Sequence, residues 1–227
     1  FVWGRSRLFK ERCVRVFHFS DIHWSAKNRT DIKIVVDSCL EDLKENFSPF
    51  DQLNDVIVFS GDLVMAGEVS EDFEPAYEDT VGRIRDAIGL SDSRVVLCPG
   101  NHDMSRASAR NCKMLEASAK ERLVSREDIN AFVESYDGDF EKELLVERAA
   151  NFYAWYTKKF SDPGSGPFFR TKTISSASGD VGFALMNSAF RSVGEGEDVD
   201  DGFLIVGERN VDKALDEISG VKQRIFV

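Results

Sequence analysis

Three short apolar runs divide the first hundred residues, and each stops at a polar cluster. CVRVFHFS (13–20) leads into SDIHW, DVIVFSGD (55–62) ends on its own glycine and aspartate, and RVVLCPGNHD (94–103) closes in a turn-forming run. Each is brief and rich in β-branched or aromatic residues, the pattern of a buried strand. Between the first two, Ile34, Val35, Cys39, Leu40 and Leu43 recur at helical spacing, so 31–46 reads as an amphipathic helix, and a second helix is expected over 74–88. Strands alternating with helices predict an α/β protein with a largely parallel sheet, whose functional groups lie at the carboxyl ends of the strands.

From about 105 to 160 the chain turns helical and charged. Ser125 followed by Asp128 resembles a capping box, and Phe140, Leu144, Phe152, Trp155 and Tyr156 form an apolar stripe expected on one long helix. Trp155 and Tyr156 are read as core rather than as stacking platforms for a base. The breaker DPGSGP (162–167) ends this stretch, so 104–166 is expected as a helical insertion, either a packing layer or a cap over the site. Two strand-like runs, FFRTKTIS and VGFALMNS, are joined by the turn-forming SASGD, and Asn187 and Ser188 are read as a strand end. After the acidic run EGEDVDD (195–201), read as a solvated loop, come a helix over 208–218 and a final strand, KQRIFV.

Length and composition leave room for one domain over 1–227 with a proper core, 42% of residues being hydrophobic. No apolar run approaches the roughly 20 residues that span a bilayer, and no signal region opens the chain. Cys13, Cys39, Cys98 and Cys112 show no CxxC pairing and read as scattered thiols of a reducing compartment, with the cytoplasm as the expected location. A formal charge of −11 disfavours long polyanions as partners. The basic cluster Arg5, Arg7, Lys10, Arg12 and Arg15 reads as a solvated strand edge rather than a phosphate-backbone contact.

Candidate chemistry sits at the three strand ends. Asp21 and His23 are two residues apart, so extended backbone would project both to one side, whereas His18 would face the other way and pack in or beside the sheet. With Asp62 they make a mixed oxygen and nitrogen set suited to divalent transition metals, and Asn101 adds an amide oxygen for an adjacent ion.

The ordered set DIH, GDLV and GNHD resembles the calcineurin-like metallophosphoesterase superfamily, and GDLVMAGEVSEDFEPAY looks like the GDLxxxG portion of its cyclic-nucleotide phosphodiesterase branches. The resemblance covers 14–103 well and implies a layered α/β/β/α sandwich carrying a helical insertion. It implies two divalent ions (Mn, Fe, Zn, Ni or Mg, with Mn favoured): Asp21 and His23 on the first, Asp62 bridging, Asn101 on the second. His102 would face the leaving group as acid or charge stabiliser, with Asp103 orienting its ring. The implied reaction is in-line attack of a metal-activated hydroxide on a phosphoester, a nucleotide-type diester being the favoured substrate.

The chain departs from the family after the third motif. Members carry a later histidine and a GHxH pair, whereas the three histidines here are used up by His102. With phenylalanine first and a strand at the end, truncation of a longer protein, its C-terminal part missing, is the expected explanation. Two alternatives stay open: a non-catalytic or regulatory module with the same fold, and a DNA or RNA nuclease of the same superfamily.

Overall fold

The computed structural model describes residues 14–164, 166–193 and 204–227. Cys13, the basic positions Arg5, Arg7, Lys10 and Arg12, and the acidic run 195–201 lie outside the described residues. Three strands, β1 (Arg15–Phe19), β2 (Asp55–Phe59) and β3 (Val95–Leu97), form one parallel sheet in the order β1-β2-β3. Helix α1 (Arg29–Phe47) connects the first two; α2 (Phe73–Tyr77), a π turn (Glu78–Gly82) and α3 (Arg83–Ala87) connect the second pair. All five residues of β2 are buried, as an unbroken apolar run in a central parallel strand requires.

A second sheet has the order β4-β5-β6, with β4 (Phe169–Ser176) antiparallel to β5 (Gly179–Met186) and β5 parallel to β6 (Gln223–Phe226). Side-chain alternation along these strands builds three apolar layers. Ile57, Phe59, Val95 and Leu97 face the helices and pack with Val36, Leu43, Phe73 and Phe152. Their neighbours Val56, Val58 and Val96 face the second sheet, meeting Ile174, Val181, Phe183 and Leu185. On the far side of that sheet Phe169, Ala184 and Met186 pack against Ala214 of α9 (Glu208–Glu217) and Ile218 just beyond its end. Helices, sheet, sheet and helices are thus stacked as the layered α/β/β/α sandwich.

The insertion is more broken than its apolar stripe suggests. It comprises α4 (Arg106–Asn111), α5 (Lys113–Arg122), α6 (Arg126–Glu134), α7 (Phe140–Val146) and α8 (Ala150–Phe160). A single long helix is therefore not formed: a 3-10 turn at Glu147–Ala149 separates the last two, and Phe140 is 74% exposed. Ser125 caps α6 as expected, its Oγ accepting from the Asp128 amide. Trp155 and Tyr156 are buried, the indole N–H donating to Glu74. The face of α1 also differs from its expected one. Ile32, Val36 and Leu43 are buried, whereas Ile34 and Val35 are 61% and 63% exposed. The i, i+4 series through 32 and 36 packs on the sheet, and a helix of one phase leaves 34 and 35 on its outer side.

Helix α8 ends on Ser161 at φ 53° and ψ 37°, the left-handed region where glycine is at no disadvantage. Ser161→Gly is expected to stabilise the protein by up to about 1 kcal/mol, a rise of about 2–4 °C in Tm by calorimetry. An unchanged or lowered Tm counts against that backbone conformation. Among the described residues no helix is long and apolar enough to cross a membrane.

Candidate metal centre

All three parallel strands deliver their motifs to one edge of the first sheet. The loops leaving β1 and β2 run side by side: the Asp21 amide donates to Gly61 O, His23 to Asp62 O and Trp24 to Leu63 O, at 2.9–3.1 Å. Met65 N donates back to Trp24 O at 2.8 Å. Asp21 and His23 therefore lie beyond the strand and are not extended. Their φ values are 60° and 50°, and that of Asp62 is 60°. Among the described residues only Ser161 is a further non-glycine with positive φ. Such conformations cost of order 1–3 kcal/mol and persist where surrounding bonds impose them, commonly at functional sites.

The glycines of the motifs are required by close approach. A Cβ on Gly61 would lie 2.5 Å from Gly100 N, and one on Gly100 would lie 2.3 Å from an Asp62 carboxylate oxygen. The GD and PGN turns are pressed together, and Asp103 locks them. Its carboxylate, fully buried, accepts from the amides of Asp62 at 2.8 Å, Gly100 at 2.9 Å and Val64 at 3.0 Å. Burial, joined by the Asp62 charge and opposed by the amides of Gly100, Val64 and Leu63, pushes this carboxyl up to about 6.

The role expected for Asp103 behind the His102 ring is thus corrected, because its oxygens are occupied by backbone donors. His102 is positioned by other groups. Its amide donates to Asp62 Oδ1 at 2.8 Å, and its Nδ1 lies 2.8 Å from Met65 O. A carbonyl only accepts, so Nδ1 carries the hydrogen, and Nε2 is the nitrogen left for chemistry. Arg106 stands on the same side, one guanidinium nitrogen 3.3 Å from Nδ1. The Met65 carbonyl is marked by no motif, whereas Arg106 follows the third motif closely in the sequence, at the start of a helix.

His23 and His102 meet edge to face, ring centroids 4.3 Å apart. His23 Nε2 lies 3.8 Å from Asp21 Oδ1 and 3.9 Å from Asp62 Oδ2. These separations are too long for hydrogen bonds, yet two ligands at about 2.0–2.2 Å from one ion lie up to about 4.4 Å apart. His23 Nδ1 is buried with no hydrogen-bond partner, so no hydrogen bond at that nitrogen fixes the ring. One donor atom each from His23, Asp62 and His102 falls within 4.8 Å of the others. These three residues form a group that could hold one divalent ion, with Asp21 beside His23.

Asp21 is at the rim, its side chain 67% exposed. Asn101 lines an adjoining cavity of 480 Å³, together with Asp21, Asp62, Met186 and Phe226. His18 is exposed and bonded through Nε2 to Ser60 Oγ at 2.7 Å, on the sheet face away from the helices and apart from this cluster.

The insertion is fastened to the same loops. Glu68 accepts from Ser105 Oγ at 2.9 Å and from Ala107 N, while Asn151 Nδ2 donates to the carbonyls of Gly67 and Glu68 at 2.9 and 2.8 Å. Ser105 N donates to Arg148 O at 2.8 Å.

Comparison with curated proteins and with solved structures gave no match. A family model described as calcineurin-like phosphoesterase matches residues 14–188. That span holds all three motif turns, the two sheets as far as β5 and the insertion between them. A layered sandwich that gathers DIH, GD and GNHD at one sheet edge, and a family match over most of the chain, lead to one conclusion: this chain belongs to the calcineurin-like phosphoesterase family.

Proposed function

We propose that this chain forms the metal centre of a phosphoester hydrolase, with Asp21, His23 and Asp62 on one ion and Asp62 with Asn101 on a second. The observation that carries the reading is the pair of carboxylates held 3.8 and 3.9 Å from His23 Nε2 by three strained backbone positions. Bound divalent ions, manganese in the first instance, would supply Lewis-acid polarisation of the phosphoryl group and activation of a water. His102, its Nδ1–H held on Met65 O, presents Nε2 to the leaving oxygen. The Asp62 carboxylate accepts from the His102 amide, which ties the position of that ring to the proposed bridging ligand.

A nucleotide-type phosphodiester is the favoured substrate, supported by the GDLVMAG stretch and by a charge of −11 that repels long polyanions. The free thiols of Cys39, Cys98 and Cys112 support a reducing compartment, and hence the cytoplasm. For the insertion, the packing layer is preferred over the cap, because its own Phe152, Trp155 and Tyr156 lie in the core. A second reading, a module that binds metal without turnover, is favoured by the histidine set: three in all, with His18 turned away to Ser60.

Manganese titration combined with hydrolysis of bis-p-nitrophenyl phosphate tests both. Hydrolysis that falls at least about a hundredfold in Asp62→Asn is the expected result. Full activity in that variant removes Asp62 from the centre, and manganese binding with no hydrolysis establishes the second reading.

A further inference from the structure

We propose that Arg106 is the protein's own seat for a phosphoryl oxygen at this centre, an assignment that rests on the phosphoester reading above. Most of the other arginines have a carboxylate or carbonyl partner, although single buried nitrogens of Arg83, Arg148, Arg170 and Arg191 also lack one. Arg15 pairs with Asp55, Arg29 with Asp79, Arg85 with Asp92, and Arg148 and Arg191 with Glu116. Arg94 and Arg170 spend their N–H groups on backbone carbonyls. Arg106 has neither kind of partner. Among the described residues its one polar neighbour is His102 Nδ1 at 3.3 Å, and its Nε is buried with no acceptor.

The contact with His102 does not satisfy it. Nδ1 already directs its hydrogen to Met65 O at 2.8 Å and has no lone pair to offer an arginine. A half-buried guanidinium is therefore left beside the histidine pair with its buried Nε unmet, in a chain whose formal charge is −11. Among the described residues no carboxylate forms an ion pair with this cation. Of the carboxylates at the centre, Asp62 is held by the His102 amide and Asp103 by three backbone N–H groups, while Asp21 stands at the exposed rim. The missing acceptor is a planar or tetrahedral oxyanion entering next to His102, and a phosphoryl group offers two oxygens to the guanidinium fork.

The test uses inorganic phosphate and Mn²⁺ as separate probes on the wild-type chain, Arg106→Ala and Arg106→Lys, followed by calorimetry. The expected result is unchanged Mn²⁺ affinity in all three, phosphate affinity about tenfold weaker in Arg106→Ala, and partial recovery in Arg106→Lys. Equal phosphate affinity in wild type and Arg106→Ala overturns the assignment. So does a wild-type chain that takes no phosphate with or without Mn²⁺, or a joint loss of Mn²⁺ and phosphate binding in both variants, which marks a structural role. A wild-type chain that takes no Mn²⁺ defeats the metal reading alone, and phosphate binding by the metal-free chain and its Arg106→Ala variant then decides Arg106 by the same criterion.

Discussion

Asp103→Ala is expected to cost the protein about 3–6 kcal/mol and to abolish the metal cluster with it. The carboxylate has no exposed surface and receives the amides of Asp62, Gly100 and Val64. Alanine leaves three buried N–H groups without an acceptor, each worth about 1–3 kcal/mol when unpaired, offset in part by release of a buried charge. A domain of this kind has only about 5–15 kcal/mol to lose. Asp62 also depends on the same lock for its φ of 60°, so the ligand moves when the lock is removed. Asp103→Asn separates acceptor from charge. Its single oxygen serves one side, and its NH₂ then faces at least one N–H, so a loss of about 1–3 kcal/mol is expected. Urea denaturation at pH 7 should rank wild type above Asp103→Asn above Asp103→Ala, with Mn²⁺ affinity following the same order. An alanine variant as stable as wild type would show that the three amides find other acceptors.

The strand ends were legible because buried parallel strands and glycine turns both leave strong local marks. VIVF followed by SGD, and VVLC followed by PGNHD, announce a strand and its stop, and the structure puts all three stops on one edge. The reason Asp21 and His23 converge was not legible. Alternation in an extended strand was the expectation, whereas positive φ at both positions, imposed by bonds to Gly61 and Asp62, does the work. Backbone strain of this kind depends on the partner loop and has no sequence period. The place of Asp103 is hidden for a similar reason: its neighbour in sequence is His102, but two of its three partners are amides about forty positions earlier. On α1 two overlapping apolar series compete, one through Ile32 and Val36 and one through Ile34 and Val35, and only the sheet beneath chooses between them. The broken stripe of the insertion has the same origin, since α7 and α8 pack on different layers: Leu145 and Val146 with the second sheet, Phe152 and Trp155 with the first.

That division makes the insertion a brace between the two layers, and its buried charges set the last expectation. Glu116 of α5 accepts from both Arg148 and Arg191, with Arg148 entirely buried and the Arg191 and Glu116 side chains 1% and 6% exposed. Arg148 also donates to Ser192 O at 2.8 Å, and its carbonyl receives Ser105 N, two residues from Asp103. Glu116→Leu strands two guanidinium groups away from water and is expected to cost about 3–5 kcal/mol, because an uncompensated buried charge cannot be rehydrated without opening the layer. Replacing the whole cluster, Glu116→Leu with Arg148→Met and Arg191→Met, removes both the attraction and the desolvation cost and should return stability to near the wild-type value or above it. Urea midpoints of the single, double and triple variants measure this cycle, and Mn²⁺ affinity of the folded proteins should stay constant, since no member of the cluster touches a candidate ligand. A Glu116→Leu loss below about 1 kcal/mol would mean that the two arginines reach water without unfolding, and the brace would then have to be attributed to Phe132, Leu145 and Phe190 alone.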